Sequence, residues 1–556
     1  QPEYVPFGKN SDETVLNSTP VVEKQKNKCL SYVHDKACQF HNFLNPISYS
    51  PTGATRIMAV DVLRGLGIMV LCIVHDALQM ENIDTFLEMP MPKVLGVYLL
   101  GAPAIAFAQW RTLLILLSGL TYAYLNICDY SSTKTLLLDC LVKTLCSVLI
   151  LPIWWVLEFM YNLFGDWAST TRAGAMGWSD GRLRNPFFAK WWTIAPNFIA
   201  TCNFFGLMFV LVHAMHLLTV LPTFWTKQKL HRKLLIRATI WLGLGCTICF
   251  TSNAVQFAFY QFFAAKYPHK FPSGMRECAV SELGDMWNPD WQTTLRNYFI
   301  AFVNGQHSFV FPLLTSLCLG AMLGCYLQAV VYHRRVMAAE LWPRWRRIYI
   351  SIFAFSFLIP LTMFGIQAAI TKNDLKNKRR TEFQTILTVL DHGFSYLCEM
   401  PEMMLQDTVL QFLVVLLFVG IFECTTMKTA VKNVNRTLYL RRFSTGSLTV
   451  YVYSCLLSCI VRSIVTFDPS SLGQLYGLLL LYYLTQLFIF IGLDKADWIG
   501  TPDWVISVVP KFVAGKFKSN TYAQRCHLNV RPSLIFEKPE PQNAERTLKR
   551  KDLVVE

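Results

Sequence analysis

Arg56-Ile57-Met58-Ala59-Val60-Asp61-Val62-Leu63-Arg64-Gly65-Leu66-Gly67-Ile68-Met69-Val70-Leu71-Cys72-Ile73-Val74-His75-Asp76 decides the class of this chain. It is mostly apolar, and a helix of about 20 such residues spans a bilayer. Asp61, Arg64 and His75 interrupt it. Ionisable groups inside an apolar span are costly and mark a functional position by default. Eleven residues separate Arg64 from His75. At about 100° per residue they return to within roughly 20° of one face, about 16 Å apart along the axis. Asp61 lies one turn before Arg64, placed to pair with it. One helix therefore offers an anion-gripping cation at one depth and a proton-transfer group at another.

The rest of the chain agrees with a membrane setting. Of 556 residues, 53% are hydrophobic and only 16% charged, where an average soluble domain has about 25% charged. Mean hydropathy is +0.34. The net charge of +15 sits mostly in short loops and tails. It reads as topology and lipid-facing charge, and no basic-aromatic interleaving suggests a nucleic-acid partner.

Apolar runs outline an all-α, polytopic bundle of about ten spans. They fall near 57–78, 113–125, 134–161, 193–220, 234–260, 298–328, 348–371, 403–425, 447–467 and 473–493. Basic clusters (Lys227 to Arg237, Arg334 to Arg347, Lys428 to Arg442) follow the fourth, sixth and eighth runs, while the loops after the first, fifth and seventh are acidic or balanced. That alternation predicts both termini on the inside. The division is a polar N-terminal segment (1–55), a transmembrane domain (56–495) and a basic C-terminal tail (496–556) expected outside the bilayer.

The Asp-x-x-Arg-Gly opening with Arg-x10-His resembles the first span of the acyltransferase-3 superfamily of multi-pass membrane acyltransferases. Asp61-Val62-Leu63-Arg64-Gly65-Leu66 is also similar to heparan-α-glucosaminide N-acetyltransferase and its bacterial relatives. Further echoes are Leu117-Ser118-Gly119, Phe311-Pro312-Leu313-Leu314, Leu319 to Gly324, Gly446 to Tyr451 and Thr501-Pro502-Asp503-Trp504. The resemblance implies transfer of an acyl group, acetyl in the first instance, from acyl-coenzyme A to a hydroxyl or amine.

The residues fit that chemistry. Guanidinium groups grip phosphate with multidentate hydrogen bonds, so Arg64 is the donor-binding candidate, with Asp61 to fix it. Arg111, beside Trp110, reads either as a second phosphate or carboxylate contact or, the better reading, as an arginine snorkelling to the interface. The Arg64–His75 separation is comparable to an extended pantetheine arm. His75 acts either as general base or as the group that is itself acylated, with neighbouring Asp76 to orient it. Gln306 and His307 are candidates for an outer acceptor cavity.

No metal is expected. Cys246-Thr-Ile-Cys249 and His213/His216 have ligand spacing without further ligands, and packing is the better reading of both. Asp139 and Lys143 read as a structural pair. Cys278 and Cys398 fall on one side in this topology. Ser118 reads as small-residue helix packing, and Arg462 as snorkelling to the interface. A second reading is a catalytically silent accessory subunit of a large membrane complex, its tails docking on partner subunits or anionic lipid. Endomembrane and mitochondrial inner membrane fit equally.

Overall fold

The computed structural model describes residues 54–80, 110–125, 211–212, 214–223, 228–266, 310–338, 340–377, 401–447, 449–450, 472–496, 498–505, 530–532 and 535–536, with the single positions 141 and 457. The chain divides into two compact units, 1–46 and 47–556, and every described residue belongs to the second.

The described residues are mostly helical. β1 (Ala54–Arg56) leads into α1 (Met58–Met80), followed by α2 (Trp110–Leu125), α3 (Ala214–Thr223) and α4 (Leu230–Lys266). Then come α5 (Val310–Val336), α6 (Trp342–Asn377), α7 (Pro401–Glu423), α8 (Met427–Arg436), α9 (Leu438–Thr445), α10 (Leu472–Lys495) and β2 (Val530–Pro532). Among these residues, Leu313–Val336 is long and apolar enough to cross a membrane. Thr408–Glu423 with Met427–Arg436 passes the same test as a pair bent by 117°.

α5 is the hub, packed on α2 and α4 and touching α7. Its approach to α2 is made by glycines. A Cβ at Gly320 would fall on the carbonyl oxygen of Leu116, one at Gly324 on that of Leu120, and one at Gly119 on that of Leu317. Gly320-x-x-x-Gly324 against Gly119 lets two backbones meet with no side chain between them, the packing that apolar helices use where lipid removes the hydrophobic drive. Ser118 turns back to the Leu114 carbonyl at 2.7 Å. Its hydroxyl is satisfied within its own helix, as the small-residue reading expects.

The helix ends sort onto one end of the bundle. Glu423, closing α7, accepts the Met58 and Ala59 amides of α1 at 2.5 and 3.4 Å. Gln328 of α5 donates to the last-turn carbonyl of Tyr124 in α2 at 2.7 Å. His231, opening α4, stacks on His333, closing α5, with ring centres 4.2 Å apart. His333 Nδ1 lies 2.7 Å from the Tyr349 hydroxyl at the start of α6. The N-termini of α1, α4 and α6 therefore meet the C-termini of α2, α5 and α7. Elements run up and down, and the basic residues around 229–237, 334–347 and 428–442 gather at this end.

The C-terminal segment joins them. β2 pairs in parallel with β1, Ala54 opposite Val530. Ile535 and Phe536 are buried in the main core, the Phe536 ring 6.1 Å from that of Phe353. Two large apolar residues thus draw part of the expected peripheral tail against the bundle. α6 exposes Ile352, Phe355, Leu358 and Ile359, and α10 exposes Leu480, Leu484 and Phe488. Several exposed large apolar residues on one helix mark contact with lipid or protein.

Asp139, Lys143, His213, Cys278, Cys398, Gln306, His307 and Arg462 lie outside the described residues, as do the side chains of His75, Asp76 and Arg111.

Candidate functional site

α1 begins at a junction of charges. The first turn of any helix leaves backbone N–H groups unpaired and carries partial positive charge. Here the Glu423 carboxylate, buried at the end of α7, takes two of those amides, and Asp61 lies in the same first turn. Asp61 pairs with Arg56 at 3.4 Å, so the expected Asp61–Arg64 pair is replaced. The reason is local: Arg56, on the strand feeding α1, reaches back along the first turn to Asp61. Arg64 instead donates from Nη2 to the Thr121 hydroxyl of α2 at 2.6 Å. That hydroxyl gives its own proton to the Leu117 carbonyl at 2.7 Å, which leaves its oxygen free to accept.

α9 and the segment after α10 close the site from the other side. Gly65 is the one residue type that fits beneath the Leu440 carbonyl of α9, where a Cβ would collide. This seats buried Arg441 close to the start of α1, its Nη2 donating to the Val434 carbonyl at 3.0 Å. Burial pushes the Arg441 guanidinium down to about 10, opposed by Asp61 and reinforced by Arg56; it stays charged at neutral pH. Asp503 accepts from the Thr449 amide and hydroxyl at 2.7 and 2.5 Å. With Asp61 and Arg56, it is one of the charges acting on Arg64.

The Thr449–Asp503 link depends on a strained turn. Trp498 has φ 57°, in the left-handed region, which costs a non-glycine residue roughly 1–2 kcal/mol. Its amide returns to Leu493 at 2.9 Å. Its buried indole lies where a side chain at Gly446 would be and stacks on Phe490. The two C-terminal echoes of the sequence, around Gly446–Thr449 and Thr501–Trp504, are thus one contact.

Beyond Arg64, α1 runs unbroken to Met80, which sets His75 about three turns further along the same helix. Along the face between them, Gly67, Ile68 and Cys72 are buried. Ile68 and Cys72 pack into a cluster with Phe443, Tyr482, Phe490 and Trp498. Tyr483 of α10 adds a hydrogen bond to the Met69 carbonyl at 2.8 Å.

The structure brings together Asp61, Arg64 and the two C-terminal echoes, and adds Arg56, Thr121, Glu423 and Arg441. Glu423 and Thr121 were visible as polar interruptions of apolar runs, but nothing in the sequence pairs either with α1. His216 is buried with its ring edge-on to Tyr122 at 5.4 Å, a packed aromatic as expected. Among the described residues no group of three His, Cys, Asp or Glu is placed to hold a metal. Comparison with protein-family models, with curated proteins and with solved structures finds no match.

Proposed function

We propose that this chain is a multi-pass membrane acyltransferase of about ten spans, both termini on the inner side, which binds an acyl-coenzyme A donor through Arg64. The observation that carries the reading is the state of that guanidinium. Arg64 is half-buried, and its hydrogen bond goes to a neutral hydroxyl, with no carboxylate at ion-pair distance among the described residues. A cation withdrawn from water without a paired charge is unfavourable, and an arriving phosphate relieves that cost with charge-assisted hydrogen bonds. Arg56 and Arg441 strengthen the local field, while Asp61 is engaged by Arg56.

The gathering of basic helix ends at one end of the bundle supports an inner face there. A donor made on that side meets Arg64 first, and its acyl end extends toward His75. His75 then takes the proton of the acceptor, with Gln306, His307 and Asp76 as supporting groups and Arg111 as a second anion contact. The test is binding and transfer with labelled acetyl-coenzyme A on the purified chain. Arg64→Gln is expected to weaken donor binding by roughly 10- to 100-fold, the value of one or two charge-assisted hydrogen bonds. His75→Ala is expected to abolish transfer while donor binding persists. Donor binding unchanged in Arg64→Gln ends the proposal.

A second reading has its own observation. Ile68 and Cys72 lie buried in aromatic side chains on the face between Arg64 and His75. Such packing fills the path a pantetheine arm would take and favours a silent, acyltransferase-like accessory subunit of an endomembrane or mitochondrial complex. Purification in mild detergent separates the two: a stoichiometric assembly without coenzyme A binding favours the subunit, and a free chain that binds coenzyme A favours the enzyme.

A further inference from the structure

α8 is amphipathic in a way α7, just before it, is not. After Glu423 the chain turns by 117°, so α8 lies across the end of the bundle rather than along it. Ala430 and Val434 face inward and are buried. Lys428, Lys432 and Arg436 recur every fourth residue on the opposite, exposed face, a single stripe on a 3.6-residue helix. No acidic residue occurs between Glu423 and Asp468.

The start of α6 stands beside the junction of α7 and α8. A Cβ at Gly420 of α7 would lie 4.0 Å from the Phe353 ring of α6, and the two helices run in opposite directions. Nearer that end, Arg346 lies close enough to the junction of α7 and α8 for its charge to act at Cys424. Arg344, Arg346 and Arg347 are all exposed, and no acidic residue occurs between Glu340 and Asp374. None of these six cations has an ion-pair partner among the described residues. Exposed Trp345 lies among these arginines, and just beyond them α6 changes character: Ile348, Ile350 and Ile352 are exposed. A basic turn holding a tryptophan, followed by exposed aliphatics, is the order of a headgroup layer giving way to hydrocarbon.

We propose that α8 and the first two turns of α6 form a docking face for anionic phospholipid headgroups, with α8 lying in the plane of the interface. The occupant follows from charge complementarity and depth. The three arginines of α6 sit at the boundary where its exposed apolar surface begins, and the stripe of α8 lies at the same end of the bundle; that boundary is where a lipid phosphate is anchored by its chains. A freely soluble anion has no reason to choose that boundary. This rests on the membrane-embedded reading above, but not on acyl transfer.

The experiment uses the full chain in bilayers of phosphatidylcholine with and without phosphatidylglycerol, scoring the lipid retained on release by native mass spectrometry. Wild type is expected to retain phosphatidylglycerol in preference. Lys428→Gln/Lys432→Gln/Arg436→Gln and Arg344→Gln/Arg346→Gln/Arg347→Gln are each expected to lower that preference by tenfold or more, since each cation near an anionic surface is worth roughly fivefold. Lys229→Gln/Arg232→Gln, neutralising exposed cations at the start of α4 at the same end, is the control and is expected to lower it less. Undiminished preference in both triple variants overturns the proposal, as does an equal loss in the control. Binding to soluble heparin with no lipid preference also overturns it and gives the patch to a soluble polyanion. Failure of wild type to resist alkaline extraction from phosphatidylcholine alone sinks the membrane reading instead. Firm embedding without phosphatidylglycerol preference sinks only the docking face.

Discussion

α5 and α6 are adjacent in sequence and both rich in apolar residues, yet the fold treats them in opposite ways. α5 is enclosed: Leu317, Cys318, Ala321 and Leu327 are buried, and Gly320 and Gly324 lie directly on the α2 backbone. α6 shows Ile352, Phe355, Leu358 and Ile359 outward and carries Pro360 within its run. Where lipid and helix interior are equally apolar, hydrophobicity cannot say which helix is central. Close backbone approach can, and it requires glycine. The difference teaches that the hub of this bundle was chosen by small residues and its rim by large ones.

The sharpest way to break that contrast is Gly320→Leu. The new side chain meets the Leu116 carbonyl, backbone that cannot swing aside. Destabilisation of about 3 kcal/mol or more is expected, seen as loss of the monodisperse peak in size-exclusion chromatography. A normal peak would mean that α2 and α5 do not meet as described. Next comes Glu423→Ala, which strips the Met58 and Ala59 amides of their acceptor. Orphaned buried donors predict a loss of about 2 kcal/mol, read as a lowered Tm. Glu423→Gln, whose side-chain oxygen still accepts, should recover part of it.

The seam between α4 and α5 gives a smaller, pH-dependent effect. Burial, then the charges of Arg232 and Lys229, hold the His231 imidazole below its ordinary value near 6.5. The folded protein then binds fewer protons than the unfolded chain. This contribution to stability is complete above about pH 6.5 and declines as pH falls through the lower folded value. Thermal unfolding between neutral and mildly acidic pH should show the decline, and His231→Gln should flatten it. An unchanged slope in that variant would remove His231 as its source. Smallest of all is Leu358→Ala on the outer face of α6, expected to lie within about 0.5 kcal/mol of wild type. A loss comparable with that at Gly320 would show that the rim helix is packed against something.

Much of this was legible in one dimension. Apolar runs delimited α1, α2, α7 and α10 because a helix in an apolar setting must carry its surface in its own composition, whereas the run at 298–328 stops short of the end of α5 at Val336. The basic clusters marked the ends that meet, since cations are excluded from the same layer wherever they occur. Gly119, Gly320 and Gly324 stand in sequence motifs that do not reveal their partners. The Gly446 and Thr501–Asp503 stretches were likewise two echoes until Trp498 and the Thr449–Asp503 hydrogen bonds joined them.

The sequence by itself determined the helical character of the described residues and the presence of Asp61, Arg64 and His75 on one stretch, because composition and period are properties of neighbours along the chain. Only the tertiary structure decided that Arg56 takes Asp61, that Thr121 takes Arg64, and that a glutamate 365 residues away closes the start of α1. Those choices depend on which helix ends share a layer. Charge and hydrogen-bonding groups select partners by distance in space, and no local periodicity encodes it.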